Sequence, residues 1–236
     1  MYFRQIFLIS CLSALAASFC FSLYQWYLVN PLIFAAELYE QATPPGSNVI
    51  EPAQPWSPGD GIERSVYTLL ANFLMSLAYS LLLTSAMVFR GSSSSLKGLA
   101  WGMAAYISAF IAPGLGLPPE IPGMDVADLA QRQNWWLLTV SLTGAGLAIL
   151  AFSPRYYKGA GFILLLLPHL IGAPVSAVHG FSHPDPEAIA MLTKLWHQFI
   201  LQTSIANALL WFIIGISTGF LCHKFIDTVT PLGVRG

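Results

Sequence analysis

Residues 160–178 read AGFILLLLPHLIGAPVSAV, an apolar run that carries Pro168, His169 and Pro174 but no Asp, Glu, Lys or Arg. Whether this run crosses a bilayer decides the architecture of the whole chain. It is about long enough, since a hydrocarbon core of roughly 30 Å takes about 20 residues of α-helix. Against it stand the two prolines. Each lacks an amide hydrogen, so the carbonyl four residues earlier, at Leu164 or Leu170, loses its helical partner. Such carbonyls are tolerated at membrane depth only where protein or a cavity covers them. The run therefore reads as a short membrane helix broken by prolines.

Working outward, the chain has 236 residues, 56% of them hydrophobic and only 9% charged. A soluble domain carries about 25% charged residues, so most of this surface is not built for water. The class is all-α integral membrane, with six expected spans at about 5–29, 66–89, 97–117, 134–153, 160–178 and 198–222. No strand-like alternation and no soluble domain interrupts them, so 1–236 reads as one membrane domain. The segment 42–63, ATPPGSNVIEPAQPWSPGDGIE, is rich in Pro and Gly and reads as an extended extracytoplasmic loop. The first apolar run continues to Val29, too long for the roughly 7–15-residue core of a cleaved signal peptide. LISC at 8–11 has too short an apolar lead to be a lipoprotein box, so the run reads as a retained helix.

Lys and Arg set the orientation, because cytoplasmic segments retain them. With the N-terminus inside, Arg4, Arg90, Lys97, Arg155, Lys158, Lys224 and Arg235 fall inside, and Arg64, Arg132 and Lys194 outside. That asymmetry shrinks if 160–178 fails to cross, which favours six spans with both termini cytoplasmic. The acids sort the other way: ten of eleven fall outside, and only Asp227 is inside. His179, His183 and His197 join them. An acidic, imidazole-bearing outer face concentrates cations.

Three stretches could carry chemistry. In VNPLIFAAELYEQ, 29–41, Pro31 suits a first helical turn, and Glu37 with Glu40 shares one helix face. Such carboxylates suit a divalent cation, or simply a solvated helix end. In LPPEIPGMDVADLAQRQNWW, 117–136, Asp125 is the expected N-cap with Asp128 three residues on, and Trp135 and Trp136 mark the interface. Glu120, flanked by prolines, has no such local role. The third stretch is the opening one extended to Glu187. An imidazole at membrane depth is a functional candidate by default, so His169 reads as a neutral ligand on an ion path, or as a packing residue bonded to a neighbouring helix. His179 and His183 are four apart in HGFSHPDPE, a loop that could capture metal weakly.

The remaining polar groups are quieter. Gln25, Asn72, Gln202 and Asn207 read as hydrogen bonds between helices. Cys11, Cys20 and Cys222 lie in apolar segments and imply no disulfide. GxxxxGK[ST], HExxH, GxSxG and CxxC are all absent, so no nucleotide motor or hydrolase motif is present.

Several of these stretches, in their order, resemble the CbtA family of bacterial cobalt transporter subunits: NPLIFAAELYE, LPPEIPG with ADLAQRQNWW, PHLIGAP, and SIANALLWFIIGISTG near the end. The resemblance implies cobalt uptake connected to cobalamin biosynthesis, and a small CbtB-like partner with one span and a histidine-rich end. It also implies five helices, where the charge distribution favours six. Glu37, Glu40, Glu120, Arg132, His169 and Pro174 sit in the family-like motifs.

The expectation is a multi-pass inner-membrane protein of bacteria that helps Co²⁺ enter the cytoplasm. Its expected metal-contacting residues are Glu37, Glu40, Glu120, His169, His179 and His183. Co²⁺ would be substrate, with no permanently bound cofactor, no enzymatic activity and no nucleic-acid partner. The expected contacts are membrane lipid, the divalent ion and the CbtB-like subunit. The alternative is a non-transporting accessory or assembly subunit of a membrane complex.

Overall fold

The computed structural model describes residues 2–41, 56, 58–91, 94–176 and 180–227. Among these residues six helices follow one another. Helix α1 runs Tyr2–Tyr24, passes through a π-helical turn at Gln25–Val29 and continues over Asn30–Gln41. Helix α2 is Ile62–Phe89. Helix α3 comprises Ser95–Tyr106, a second π-turn at Ile107–Ile111, and Ala112–Gly114. Helix α4 is Leu129–Phe152, and α5 is Lys158–Ile171. Helix α6 is Pro186–Cys222, with a π-helical end at His223–Asp227. Two short strands, β1 (Met124–Asp125) and β2 (Gly180–Phe181), pair antiparallel.

The chain is thus an all-α membrane bundle. Among the described residues five stretches are long and apolar enough to cross a bilayer: Phe3–Tyr39, Ile62–Phe89, Ser95–Gly114, Leu129–Phe152 and Pro186–Ile226. With 14 residues, α5 spans only about 21 Å at 1.5 Å per residue. It nevertheless returns the chain to the end of the bundle from which α4 started, because β1 before α4 pairs with β2 after α5. Pro168 lies inside α5, and Gly172 closes the helix at φ +88° with its N–H on the Pro168 carbonyl. The expected second break therefore falls outside the helix, since α5 stops before Pro174.

Helices α1 and α6 run antiparallel. Gln5 Nε2 donates to the Phe225 carbonyl at 3.0 Å, joining the start of one to the end of the other. This end is the terminal face, and the opposite end, carrying the loops 115–128 and 172–185, is the loop face. Both helices outrun their expected spans toward the loop face. There Ala36, Ile121, Phe181 and Leu192 belong to the buried apolar cluster, with Trp196 packed against it.

Pro31 does not begin a new helix as expected; it sits inside α1, two residues after the π-turn ends. Pro113 stands in the same relation to the π-turn of α3. In each case the residue before the proline donates its N–H five residues back, Asn30 to Gln25 and Ala112 to Ile107. A proline cannot make the four-residue bond, and its ring crowds the carbonyl that would accept it. A widened turn just ahead of the ring accommodates both problems, so the helix continues.

Packing inverts the soluble pattern. Phe3, Leu82 and Phe89 are 80%, 71% and 89% exposed, while Ser10, Ser13, Ser76, Ser80 and Thr84 are fully buried. Lipid offers no hydrophobic drive for helix association, so small and hydrogen-bonding residues make the contacts. Ser10 bonds Thr84 at 3.1 Å, Thr218 bonds Ser13 at 3.2 Å, and Asn72 Nδ2 donates to Ser22 Oγ at 3.0 Å and Gln25 Oε1 at 2.6 Å. Tyr24 donates to Gln202 Oε1 at 2.6 Å. Gln25, Asn72 and Gln202 thus bridge helices as expected. Asn207 instead donates to the Thr203 carbonyl of its own helix at 2.9 Å.

Helices α3 and α6 meet through glycines. Gly98 and Gly102 face Gly215 and Gly219 so closely that a Cβ on Gly98 would strike the Gly215 carbonyl oxygen, and one on Gly215 the Gly98 carbonyl oxygen. Each pair is spaced as GxxxG, the motif of close helix approach in membranes. Gly146 and Gly161 bring α4 and α5 together similarly.

Candidate functional site at the loop face

Two carboxylates at the loop face are held by arginines. Glu37 lies on the last part of α1, and Arg64 is the third residue of α2. Arg64 Nη2 donates to Glu37 Oε1 at 2.6 Å and Nη1 to Oε2 at 3.1 Å, a two-pronged bond. The side chains are 27% (Glu37) and 32% (Arg64) exposed. The guanidinium also lies 4.8 Å from the centre of the Phe34 ring. Asp60 reaches Arg64 at 3.5 Å but stands almost wholly in solvent. Glu37 is thus a positioned, half-buried anion on a helix that rigidly continues a membrane span.

Glu120 has a comparable partner in Arg132, one turn into α4. Proline on either side of the Glu120–Ile121 pair keeps 118–122 out of a helix. The loop is fastened by Trp196 of α6, whose Nε1–H donates to the Pro119 carbonyl at 2.8 Å. Around the pair lies a cavity of about 550 Å³ whose walls include Leu117, Gln133 and Trp136. Burial pushes the Glu120 carboxyl above the usual carboxylate range, while the Arg132 charge and hydrogen bond pull it down less strongly. Glu120 is therefore a group whose proton, guanidinium and any incoming cation compete.

The other candidates are placed apart. His169 falls in the last turn of α5, not at its centre, with its ring 6.2 Å from that of Trp135 and roughly edge-on. Trp135 in turn donates to the Pro168 carbonyl at 3.3 Å. His183 Nδ1 accepts the Asp185 N–H at 3.0 Å, leaving Nε2 buried without a hydrogen-bond partner among the described residues. His179 lies outside the described residues, as does the side chain of Glu40. Among the described residues no three of His, Cys, Asp and Glu converge.

Capping differs from expectation. Asp128, not Asp125, caps α4, accepting the Gln131 N–H at 3.0 Å. Asp125 belongs to β1 and accepts the Ser182 hydroxyl, tying the two loops together. Asp185 caps α6 through the Glu187 N–H at 2.9 Å. The partners Arg64 and Arg132 were not expected for Glu37 and Glu120. Arg64 lies far from Glu37 in the sequence, and nothing in the spacing announces it. Arg132 is a weaker omission, since it and Glu120 both stand in the 117–136 motif.

What the arrangement offers is two carboxylates at one end of a membrane bundle, each paired with an arginine. Neither is a closed metal cage. No curated protein and no solved structure shows detectable similarity to the chain. A family model described as a probable cobalt transporter subunit, CbtA, matches residues 3–223. That match covers nearly the whole described bundle, carboxylate pairs included. The multi-pass membrane chain built around these two pairs, a subunit by family and so one of an assembly, belongs to the CbtA family of probable cobalt transporter subunits.

Proposed function

We propose that this chain carries Co²⁺ across the inner membrane of a bacterium toward cobalamin biosynthesis, with the loop face outside and both termini in the cytoplasm. The observation that carries the reading is the pair of half-buried carboxylates on one face, each neutralised by an arginine rather than by burial alone. A hydrated dication drawn to the acidic face meets Glu37 and Glu120 as oxygen ligands. A carboxylate has about four lone-pair sites, so an ion can engage one oxygen while the guanidinium still holds the other. Full coordination then displaces the arginine. Binding stays weak because that ion pair must be given up, and weak binding permits release.

Glu40, His179 and His183 extend the capture zone around the loop face. His169, beside Trp135, offers an imidazole on the way inward. Affinity alone ranks Ni²⁺ and Cu²⁺ above Co²⁺, so selectivity rests on geometry and ligand type. The arrangement of carboxylates in separate pairs favours completion of the ligand set by another subunit, and a small single-span, histidine-rich CbtB-like chain supplies that chemistry. No step here breaks a covalent bond, and the chain is not an enzyme.

Labelled-cobalt uptake into cells expressing the chain with its partner tests this. Glu37→Gln keeps the shape and removes the charge, so uptake at limiting cobalt should fall about tenfold, equivalent to about 1.4 kcal/mol of binding. It should recover at high cobalt. Unchanged uptake at limiting cobalt would exclude Glu37 as a ligand, and loss of the protein from the membrane would assign it a structural role. Orientation has its own test in a background without native cysteines. Pro184→Cys should react with an impermeant thiol reagent on intact cells, and the highly exposed Tyr156→Cys should not. The reverse labelling would invert the topology.

A further inference from the structure

Helices α2, α3 and α4, with Trp211 of α6, line a groove of about 770 Å³ that the two carboxylate pairs do not touch. Its floor is small: Ala100, Ala104 and Ser108 recur every four residues on α3, opposite Gly144 and Ala148 of α4. Faces of this kind usually bring two helices together, as the glycines of α3 and α6 do. Here they do not. A Cβ added to Gly144 would meet nothing closer than the Ser108 hydroxyl at 3.9 Å.

One end of the groove is cationic. Lys97 lines it, and so does Phe152, whose ring carries the Arg90 guanidinium at 4.1 Å. Among the described residues the ion pairs involve Arg64 and Arg132, and neither Lys97 nor Arg90. The other end is closed by Trp136. From Lys97 to Ala109 the α3 wall covers twelve residue steps, about 18 Å. The α4 wall is longer, sixteen steps from Trp136 to Phe152 or about 24 Å, so the groove is deeper than one leaflet of about 15 Å and shorter than the roughly 30 Å hydrocarbon core.

We propose that this groove binds one anionic phospholipid, an acyl chain lying along Ala100, Ala104 and Gly144 and the phosphate held by Lys97 and Arg90. An apolar slot shorter than the hydrocarbon core, floored by small residues and cationic at one end, suits an acyl chain with its phosphate better than a transmembrane helix, which would need the full thickness and offers no anion. Two basic side chains without acidic partners at its mouth select a net negative headgroup, since a cation pair gains more from a phosphate not already balanced by choline. This assignment stands apart from the cobalt reading.

The test uses the full chain in mild detergent, with phosphatidylglycerol and phosphatidylcholine offered together and retained lipid counted by native mass spectrometry. Phosphatidylglycerol should be retained in preference by about thirtyfold, the effect expected of two basic residues near anionic lipid. The double variant Lys97→Gln/Arg90→Gln should abolish the preference, and Gly144→Leu should abolish retention of both lipids. A measurement on the unaltered protein stands if the variants fail to fold. Phosphatidylglycerol brominated on its acyl chain should quench tryptophan fluorescence more than brominated phosphatidylcholine, and Trp101→Phe, at a residue that lines the groove beside Ala100, should remove much of the difference. Equal retention of the two lipids, or a preference that survives the double variant, would overturn the proposal. So would a partner's membrane helix crosslinked to Ala104→Cys with no lipid retained.

Discussion

Gly215→Leu is expected to leave almost no folded protein in the membrane. Even a methyl group there would overlap the carbonyl oxygen of Gly98 and crowd Gly102, and Gly98→Leu should be as damaging for the reciprocal reason. Ordinary overpacking costs about 1–3 kcal/mol because side chains can rotate away. These clashes are with backbone, so α3 and α6 must separate, and the contact holding α3 to the longest membrane helix is lost with them. Expression with a fluorescent tag, followed by size exclusion in mild detergent, should show aggregate or nothing. Gly144→Ala is the matched control. Its Cβ would make only an ordinary contact with the Ser108 hydroxyl at 3.9 Å, and it removes a mid-helix glycine, so it should melt at or slightly above the parent temperature, by about 0.5–1 kcal/mol of added stability. If Gly215→Leu behaves like Gly144→Ala, the α3–α6 seam is not what holds the bundle together.

Glu120→Gln is expected to reduce cobalt uptake at limiting cobalt to background while the protein still reaches the membrane. The pH profile carries the more specific test. Burial raises the Glu120 pKa, and Arg132 partly offsets that rise. The carboxylate form, the ligand, is therefore lost at a higher pH than for an ordinary glutamate as the medium is acidified. Uptake should fall on that acid limb. Arg132→Gln removes the influence that lowers the pKa, so the limb should move to higher pH. Stability runs the other way. The folded chain holds this proton more tightly than the unfolded chain, so the Glu120 contribution is lost as pH rises from the ordinary carboxylate range through the raised value. An acid limb that does not move in Arg132→Gln would dissociate the ion pair from transport.

The sequence made the class legible because composition is a bulk property: a chain this poor in charge has no other solvent. It also made Gln25, Asn72 and Gln202 legible, since an amide in lipid must find a partner, and each bridges helices. What it hid depends on distance. Glu37 and Arg64 are neighbours only after α1 and α2 have paired, and no local period encodes that pairing. The glycines were visible as GLAWG and GISTG but carried no sign of facing one another. The cap of α4 shifted from Asp125 to Asp128 because Asp125 is drawn into β1, a pairing with a segment more than fifty residues away. His169 stood at the centre of an apolar run and yet near the end of a helix, because a glycine terminated that helix before the run was over.

The π-turn of α1 also has a heritable consequence. Each residue of an α-helix advances its azimuth by about 100°, so one residue accommodated in a widened turn shifts the phase of everything beyond it. Asn30–Gln41 keeps that offset relative to Tyr2–Tyr24, and the offset is what points Glu37 at Arg64 while Ser10 still points at Thr84. A single-codon deletion within Gln25–Val29 would reset the phase by about 100°, turning Glu37 away from Arg64 without altering one contact made by Ser10. The two halves of this helix are thus separately addressable by evolution: substitutions tune each face, and one-residue insertions or deletions dial one face against the other.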